Sequence, residues 1–174
     1  MRIILTGSFS VGKTSVMREL KKQLSNISFL DEVARDLILS QNKKPEQMEV
    51  HEQEDFQKKI LFTQMYQESF TSCFVSDRGV IDTLAYTKDL DMYERVYDMI
   101  EDYIHLSPYT HVFFIPKEFP LVDDGVRNTD EEFQIEIENR VLEILRKLEI
   151  KHIPLTGSVE KRVQTVLEHI KSCM

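Results

Sequence analysis

Arg2-Ile3-Ile4-Leu5-Thr6-Gly7-Ser8-Phe9-Ser10-Val11-Gly12-Lys13-Thr14-Ser15 begins as an apolar run and passes into a full match to the phosphate-loop pattern G-x-x-x-x-G-K-[ST]. Glycines at both ends let the backbone curl into a nest whose N–H groups converge on phosphate oxygens, and the helix that follows adds its positive end. Val16, Leu20 and Leu24 recur at a spacing of four, which predicts that helix. The pattern implies a nucleoside triphosphate held by Gly7, Ser8, Phe9, Ser10, Val11, Gly12, Lys13, Thr14 and Ser15. Lys13 reaches the β- and γ-phosphates, and the Thr14 hydroxyl is a ligand of Mg²⁺.

Working outward, apolar runs alternate with helical periodicities. Strands are expected at Arg2–Thr6, Ser28–Leu30, Cys73–Asp77, His111–Ile115 and Lys151–Leu155. Helices are expected at Phe56–Phe70, Met92–Ile104, Glu131–Leu148 and Val159–Ile170. Short, nearly all-apolar strands suit a parallel sheet covered on both faces, so the class is a three-layer α/β fold. The polar stretch Gln41–Asp55 reads as a surface loop leading into a long helix.

The chain has 174 residues, 41% of them hydrophobic, and a net charge of −8. That length suits one domain spanning residues 1–174, and no internal repeat or linker divides it. The acidic balance counts against nucleic acid as partner, because that affinity comes from basic patches. A small-molecule partner is expected. No apolar stretch approaches the roughly 20 residues that cross a bilayer, and no signal peptide is expected where strand and phosphate loop follow Met1. Cys73 and Cys173 are too few for a disulfide framework. Cys73 reads as a buried thiol in its strand, and the reading is a cytoplasmic protein without a membrane partner. An oligomer is compatible with all of this.

In sheets of this kind ligands lie beyond the carboxyl ends of the strands. Asp31-Glu32-Val33-Ala34-Arg35 follows the second strand. Glu32 and Arg35, one helical turn apart, are placed to pair with each other or to meet an acceptor. Asp77-Arg78 ends the third strand, with Asp82 just beyond. Asp77 is a candidate general base or metal-side carboxylate, and Glu32 is the other candidate base. Arg78 is placed to hold a phosphate or orient an acceptor, or to form a salt bridge to Glu32 or Asp82. After the fourth strand Pro116–Thr129 reads as a lid, in which Arg127 would supply positive charge to a transferring phosphoryl group, with Asp124 close by. After the fifth, Thr156 and Gly157 would lie beside the nucleotide base with Arg162 packed on it, and Ser158 is a candidate helix cap. Phe9, Phe56, Phe62, Tyr66 and Tyr86 are the aromatics available to sandwich a ring.

The segments FLDEVARDL (29–37), SDRGVIDTLAY (76–86) and LVDDGVR (121–127) resemble the AAA-type ATPase and kinase-like family that includes the ribosylnicotinamide kinase domain of the bacterial NAD regulator. More broadly the chain is similar to nucleoside and nucleotide kinases, where an Asp-Arg or Glu-Arg pair ends the third strand. The resemblance implies a five-stranded parallel sheet in the order 2-3-1-4-5, ATP with Mg²⁺, and an acceptor between the ends of the second and third strands. Glu32, Arg35, Arg78 and Asp124 are then the acceptor candidates, and Lys13, Asp77 and Arg127 the catalytic ones. The expected reaction is phosphoryl transfer from ATP to a nucleoside or nucleotide, nicotinamide riboside first among them. A nucleotide-dependent regulatory ATPase acting on a protein partner is the alternative. GTP stays open as donor, although the guanine-reading N-K-x-D pattern is absent.

Overall fold

The computed structural model describes residues 1–41, 43–120 and 130–171. Five parallel strands, β1 (Arg2–Thr6), β2 (Ser28–Leu30), β3 (Phe74–Asp77), β4 (His111–Phe114) and β5 (Ile153–Pro154), form one sheet in the order β2-β3-β1-β4-β5. The strands are joined by helices α1 (Lys13–Gln23), α2 (Val33–Gln41), α3 (Val50–Phe70), α4 (Asp82–Thr87), α5 (Tyr93–Leu106) and α6 (Glu131–Lys147). Helix α7 (Val159–Lys171) follows β5.

Alternation along the strands makes the three layers, because successive side chains leave a strand on opposite faces. Ile3, Leu5, Val75 and Phe113 point to one side, into a core closed by Val16, Met17 and Leu20 of α1 and by Val163, Val166 and Ile170 of α7. Ile4, Phe74, Val112 and Phe114 point to the other, against Leu84 of α4, Ile100 of α5 and Ile137, Val141 and Leu145 of α6. Pairing Leu5 with Asp77 and Thr6 with Phe114 brings the carboxyl ends of the three central strands level. Chain segments leaving those ends therefore face one shared cleft.

Boundaries differ from the sequence reading where solvent hides the pattern. Helix α3 begins at Val50, six residues before the expected start, under a reciprocal cap in which Glu49 and Glu52 each satisfy the other's backbone. Its first turn packs against little, so apolar periodicity does not reveal it. Pro45–Gln47 form a 3₁₀ turn, and part of the stretch read as a surface loop becomes wall to the cleft described below. Helices α2 and α4 are short, with 9 and 6 residues, and are not among the helices expected from the sequence. Cys73 sits just before β3 and is half-buried rather than inside the strand.

Leu20 is completely buried between α1 and the sheet. Leu20→Ala is expected to cost about 2–5 kcal/mol, read as an earlier urea midpoint at unchanged slope.

Candidate active site

The phosphate loop is held by its carbonyl groups. Lys13 Nζ donates to the carbonyls of Gly7 (3.1 Å) and Ser8 (2.5 Å). Arg78 Nη1 donates to the Gly7 carbonyl at 3.2 Å, Gln134 Nε2 to the Phe9 carbonyl at 2.6 Å, and Arg162 Nη1 to the Val11 carbonyl at 2.7 Å. With the oxygens of Gly7, Ser8, Phe9 and Val11 occupied by donors from four side chains, the loop is fixed for its N–H groups to receive an anion. Gly7 has φ +132°, and a Cβ there would stand 2.4 Å from the Ile115 carbonyl oxygen. Only glycine lets the loop pass so close to the end of β4.

Lys13 is 3% exposed and Asp77 2%, whereas Thr14, at the start of α1, is exposed. The Thr14 hydroxyl donates to Asp77 Oδ2 at 2.8 Å, while the buried Asp77 Oδ1 has no hydrogen-bond partner. An unspent carboxylate oxygen beside a threonine hydroxyl at a helix start suits a hard divalent cation. No group of three or more His, Cys, Asp or Glu side chains among the described residues could hold a metal by itself. Mg²⁺ would thus be shared between Thr14, Asp77 and the nucleotide's phosphates. Burial pushes the Asp77 carboxyl above its ordinary range and Glu32 pushes the same way, against the pull of Lys13 and Arg78.

Across the loop lies a cavity of about 310 Å³, large enough for a nucleoside. Phe9, Phe56, Tyr86 and Phe133 supply aromatic wall, while Glu32, Arg35, Arg78 and Asp82 supply charge. Glu32 Oε1 accepts from Arg78 Nε at 2.8 Å. Arg78 Nη1 also reaches Asp82 Oδ1 at 3.2 Å, and Nη2 reaches the Tyr86 hydroxyl at 3.1 Å. Burial alone would weaken the guanidinium's hold on its proton. Tyr86 and the Glu32 and Asp82 carboxylates more than reverse that, so Arg78 stays charged. Asp82 is fixed in turn by the Thr6 hydroxyl (2.8 Å) and by the Gly79 N–H on Oδ2 (2.9 Å).

Several expected residues lie elsewhere. Phe62 and Tyr66 are 56% and 64% exposed and do not line the cavity. Arg162 is 1% exposed: besides Val11, it binds Glu118 Oε2 at 2.7 Å, with the Phe119 ring 5.6 Å away. Its hydrogen bonds thus run to the phosphate loop and to Glu118. The Gly157 N–H is taken by the same Glu118 oxygen at 2.7 Å, Thr156 is exposed, and Ser158 caps α7 through the Lys161 N–H. Arg127 and Asp124 lie outside the described residues, as does most of the Pro116–Thr129 lid. Sequence reasoning missed Gln57 and Phe133 as cavity wall, although Phe133 lies in the first turn of α6, its N–H bonded to the Asp130 cap; Tyr86, one of the aromatics named for a ring, does line the cavity. No helix among the described residues is long and apolar enough to cross a membrane.

The sheet order and the loop together define a P-loop fold of the nucleoside- and nucleotide-kinase type. The AAA domain family is matched over residues 2–162, and the chain belongs to it. Curated proteins gave no match. Among solved structures, NadR in complex with NR is similar at TM-score 0.79 and 21% identity, covering 98% of this chain and 50% of NadR. NadR in complex with NAD and AMP-PNP is similar at TM-score 0.75 and 19% identity, over 98% of this chain and 48% of the other. The chain thus spans about half the length of the NadR chains. Deoxyadenosine kinase from M. mycoides is similar at TM-score 0.66 and 13% identity over 100% of both chains.

Asp77 gives a stability test that needs no substrate. An acid whose folded pKa is raised keeps its proton longer in the folded chain. Its charged form therefore costs stability as pH climbs from the ordinary aspartate value of 3.8 through the folded pKa. Asp77→Asn is expected to melt above wild type at pH 7.5, with the difference shrinking toward pH 4, by calorimetry.

Proposed function

We propose that this chain is a kinase that transfers the γ-phosphoryl group of ATP to a nucleoside or nucleotide hydroxyl, with nicotinamide riboside the leading acceptor. The observation that carries the reading is the aromatic, carboxylate-bearing cavity opening directly against the phosphate loop. A nucleotide switch has no use for a nucleoside-sized chamber at that point. The ligands of the similar structures, NR in one NadR complex, NAD and AMP-PNP in another and dCMP in deoxyadenosine kinase, support the same direction.

In this reading the two candidate carboxylates divide the work. Glu32 lines the cavity and Asp77 does not. Glu32 accepts the acceptor's proton, while Arg78 holds Glu32 in place through the Nε hydrogen bond. Asp77, with Thr14, holds Mg²⁺ on the triphosphate side; when bound, the ion neutralises charge on the phosphates. Lys13 swings from the Gly7 and Ser8 carbonyls to the β- and γ-phosphate oxygens. Phe9 and Phe133, with ring centroids 5.9 Å apart, and Tyr86 bound the space for the acceptor's ring. The Gln57 amide, buried on the cavity wall, offers a donor and an acceptor to that ring's polar edge. Rate comes from positioning and charge rather than from a covalent intermediate.

Purified protein with MgATP and a panel of nucleosides, nicotinamide riboside and nucleoside monophosphates, followed by ADP release, tests this directly. Acceptor-dependent release is expected, with Glu32→Gln lowering kcat about 10²- to 10⁴-fold and Lys13→Ala abolishing turnover. Gln57→Leu is expected to raise the acceptor KM about tenfold with the ATP KM unchanged. ADP release indifferent to every acceptor would instead identify a regulatory ATPase.

A further inference from the structure

Arg78 holds the cleft's charges together from a backbone position that an arginine seldom adopts. Its φ is +80°, in the left-handed region that disfavours residues with a Cβ. Such a turn persists only when its surroundings fix it. On one side β1 does so, with the Arg78 N–H donating to the Leu5 carbonyl at 3.0 Å. On the other side is a buried polar group outside the cavity, remote from any step of the reaction.

Glu68, on α3, is 1% exposed yet carries a carboxylate. Tyr109 OH lies 3.0 and 2.9 Å from its two oxygens, Gln64 Nε2 donates to it at 2.9 Å, Arg2 Nη2 at 3.1 Å and Tyr103 OH at 3.3 Å. A phenol has one proton. Because Glu68 can only accept, that proton is committed to it, and the Tyr109 oxygen is left to accept from the Val80 N–H at 3.0 Å. Gln64 also reaches the Ser76 hydroxyl at 3.0 Å and the Arg78 carbonyl at 3.4 Å. The chain of bonds therefore runs in one direction, from the turn after β3 through Tyr109 to Glu68, with Gln64 alongside. Gly79 makes room for it: a Cβ there would lie 2.7 Å from the Tyr109 hydroxyl.

We propose that Glu68, Tyr109 and Gln64 are positioning residues that clamp the Arg78–Val80 turn from beneath, so that the guanidinium spans Glu32 and Asp82 in the acceptor cavity. The clamp rests on the kinase reading. Its own bonds end at Arg78 and Val80 and touch neither Lys13 nor Thr14. Arg78 also donates to the Gly7 carbonyl of the phosphate loop, but that oxygen keeps Lys13 as a second donor, so the effect falls on the acceptor half. Losing Tyr109's hydroxyl lets the turn relax toward an ordinary conformation, which withdraws Arg78 from Glu32.

Tyr109 and Glu68 do not line the cavity, and Tyr103 supplies a control, for it bonds the same carboxylate without touching the turn. Tyr109→Phe is expected to lower kcat/KM for the acceptor about tenfold with the dissociation constant for MgATP unchanged. Tyr103→Phe is expected to leave both as in wild type. Glu68→Gln, which keeps the volume, is expected to fall between them and serves if Tyr109→Phe does not fold. Equal losses in the Tyr109 and Tyr103 variants at equal active fraction, or a loss shared by MgATP binding, would show a merely structural network and overturn the proposal. Wild-type protein without acceptor-dependent turnover would instead overturn the kinase reading, and the clamp with it. An active wild type with an unaffected Tyr109→Phe would remove the clamp alone.

Discussion

A loop that presents its N–H groups to an anion has to dispose of its carbonyl oxygens, and much of this molecule's architecture answers that requirement. Each oxygen facing into the protein would otherwise be a buried acceptor without a donor, at a cost of about 1–3 kcal/mol apiece. Here the donors come from every direction: Lys13 from α1, Arg78 from the end of β3, Gln134 from α6 and Arg162 from α7. Two of them are buried arginines placed on opposite flanks, one at the Gly7 carbonyl and one at the Val11 carbonyl. The loop is thereby a product of the whole fold rather than of its own eight residues.

The same requirement ties the nucleotide side of the cleft to the acceptor side. Arg78 touches the loop through Gly7 and, with its remaining donors, Glu32, Asp82 and Tyr86. One guanidinium thus joins the ends of β1, β2 and β3 to α4, and its charge is met by two carboxylates. Buried groups of this kind contribute little net stability, because desolvation offsets most of the attraction, but removing one partner leaves the others uncompensated. What the arrangement provides is a single geometry. A side chain with four hydrogen bonds, two of them to residues far along the chain, has few alternative rotamers, so a carboxylate bonded to it is aimed.

Legibility from sequence followed the reach of each signal. Glycines at fixed spacing and apolar runs are local, and the phosphate loop, the five strands and the long helices are readable from them. The strand-end residues Glu32, Asp77, Arg78 and Asp82 are readable too, because topology alone places them at the cleft. Partnership is not local. That Arg78 Nε reaches Glu32 depends on a register between β2 and β3 that pairs Leu30 with Ser76, and no spacing along the chain encodes it. Arg162 shows the same limit. Its place in the first turn of α7 gives no sign of its bond to the Val11 carbonyl, made where α7 packs against α1 so closely that a Cβ on Gly12 would lie 3.2 Å from the guanidinium.

In the proposed reaction the division between Asp77 and Glu32 follows from their partners rather than from residue type or burial. Both are carboxylates at strand ends, and both are nearly inaccessible to water. Asp77 faces an ammonium, Lys13, that the phosphate loop has already engaged, and it keeps one oxygen without a partner. That environment destabilises its charge until a cation arrives, so its unfavourable burial is relieved by binding. Glu32 accepts from the Arg78 guanidinium through a single Nε bond at 2.8 Å and lines the cavity. In the proposed reaction the carboxylate aimed into the cavity meets the acceptor, whereas the one with an unspent oxygen beside Thr14 suits a cation.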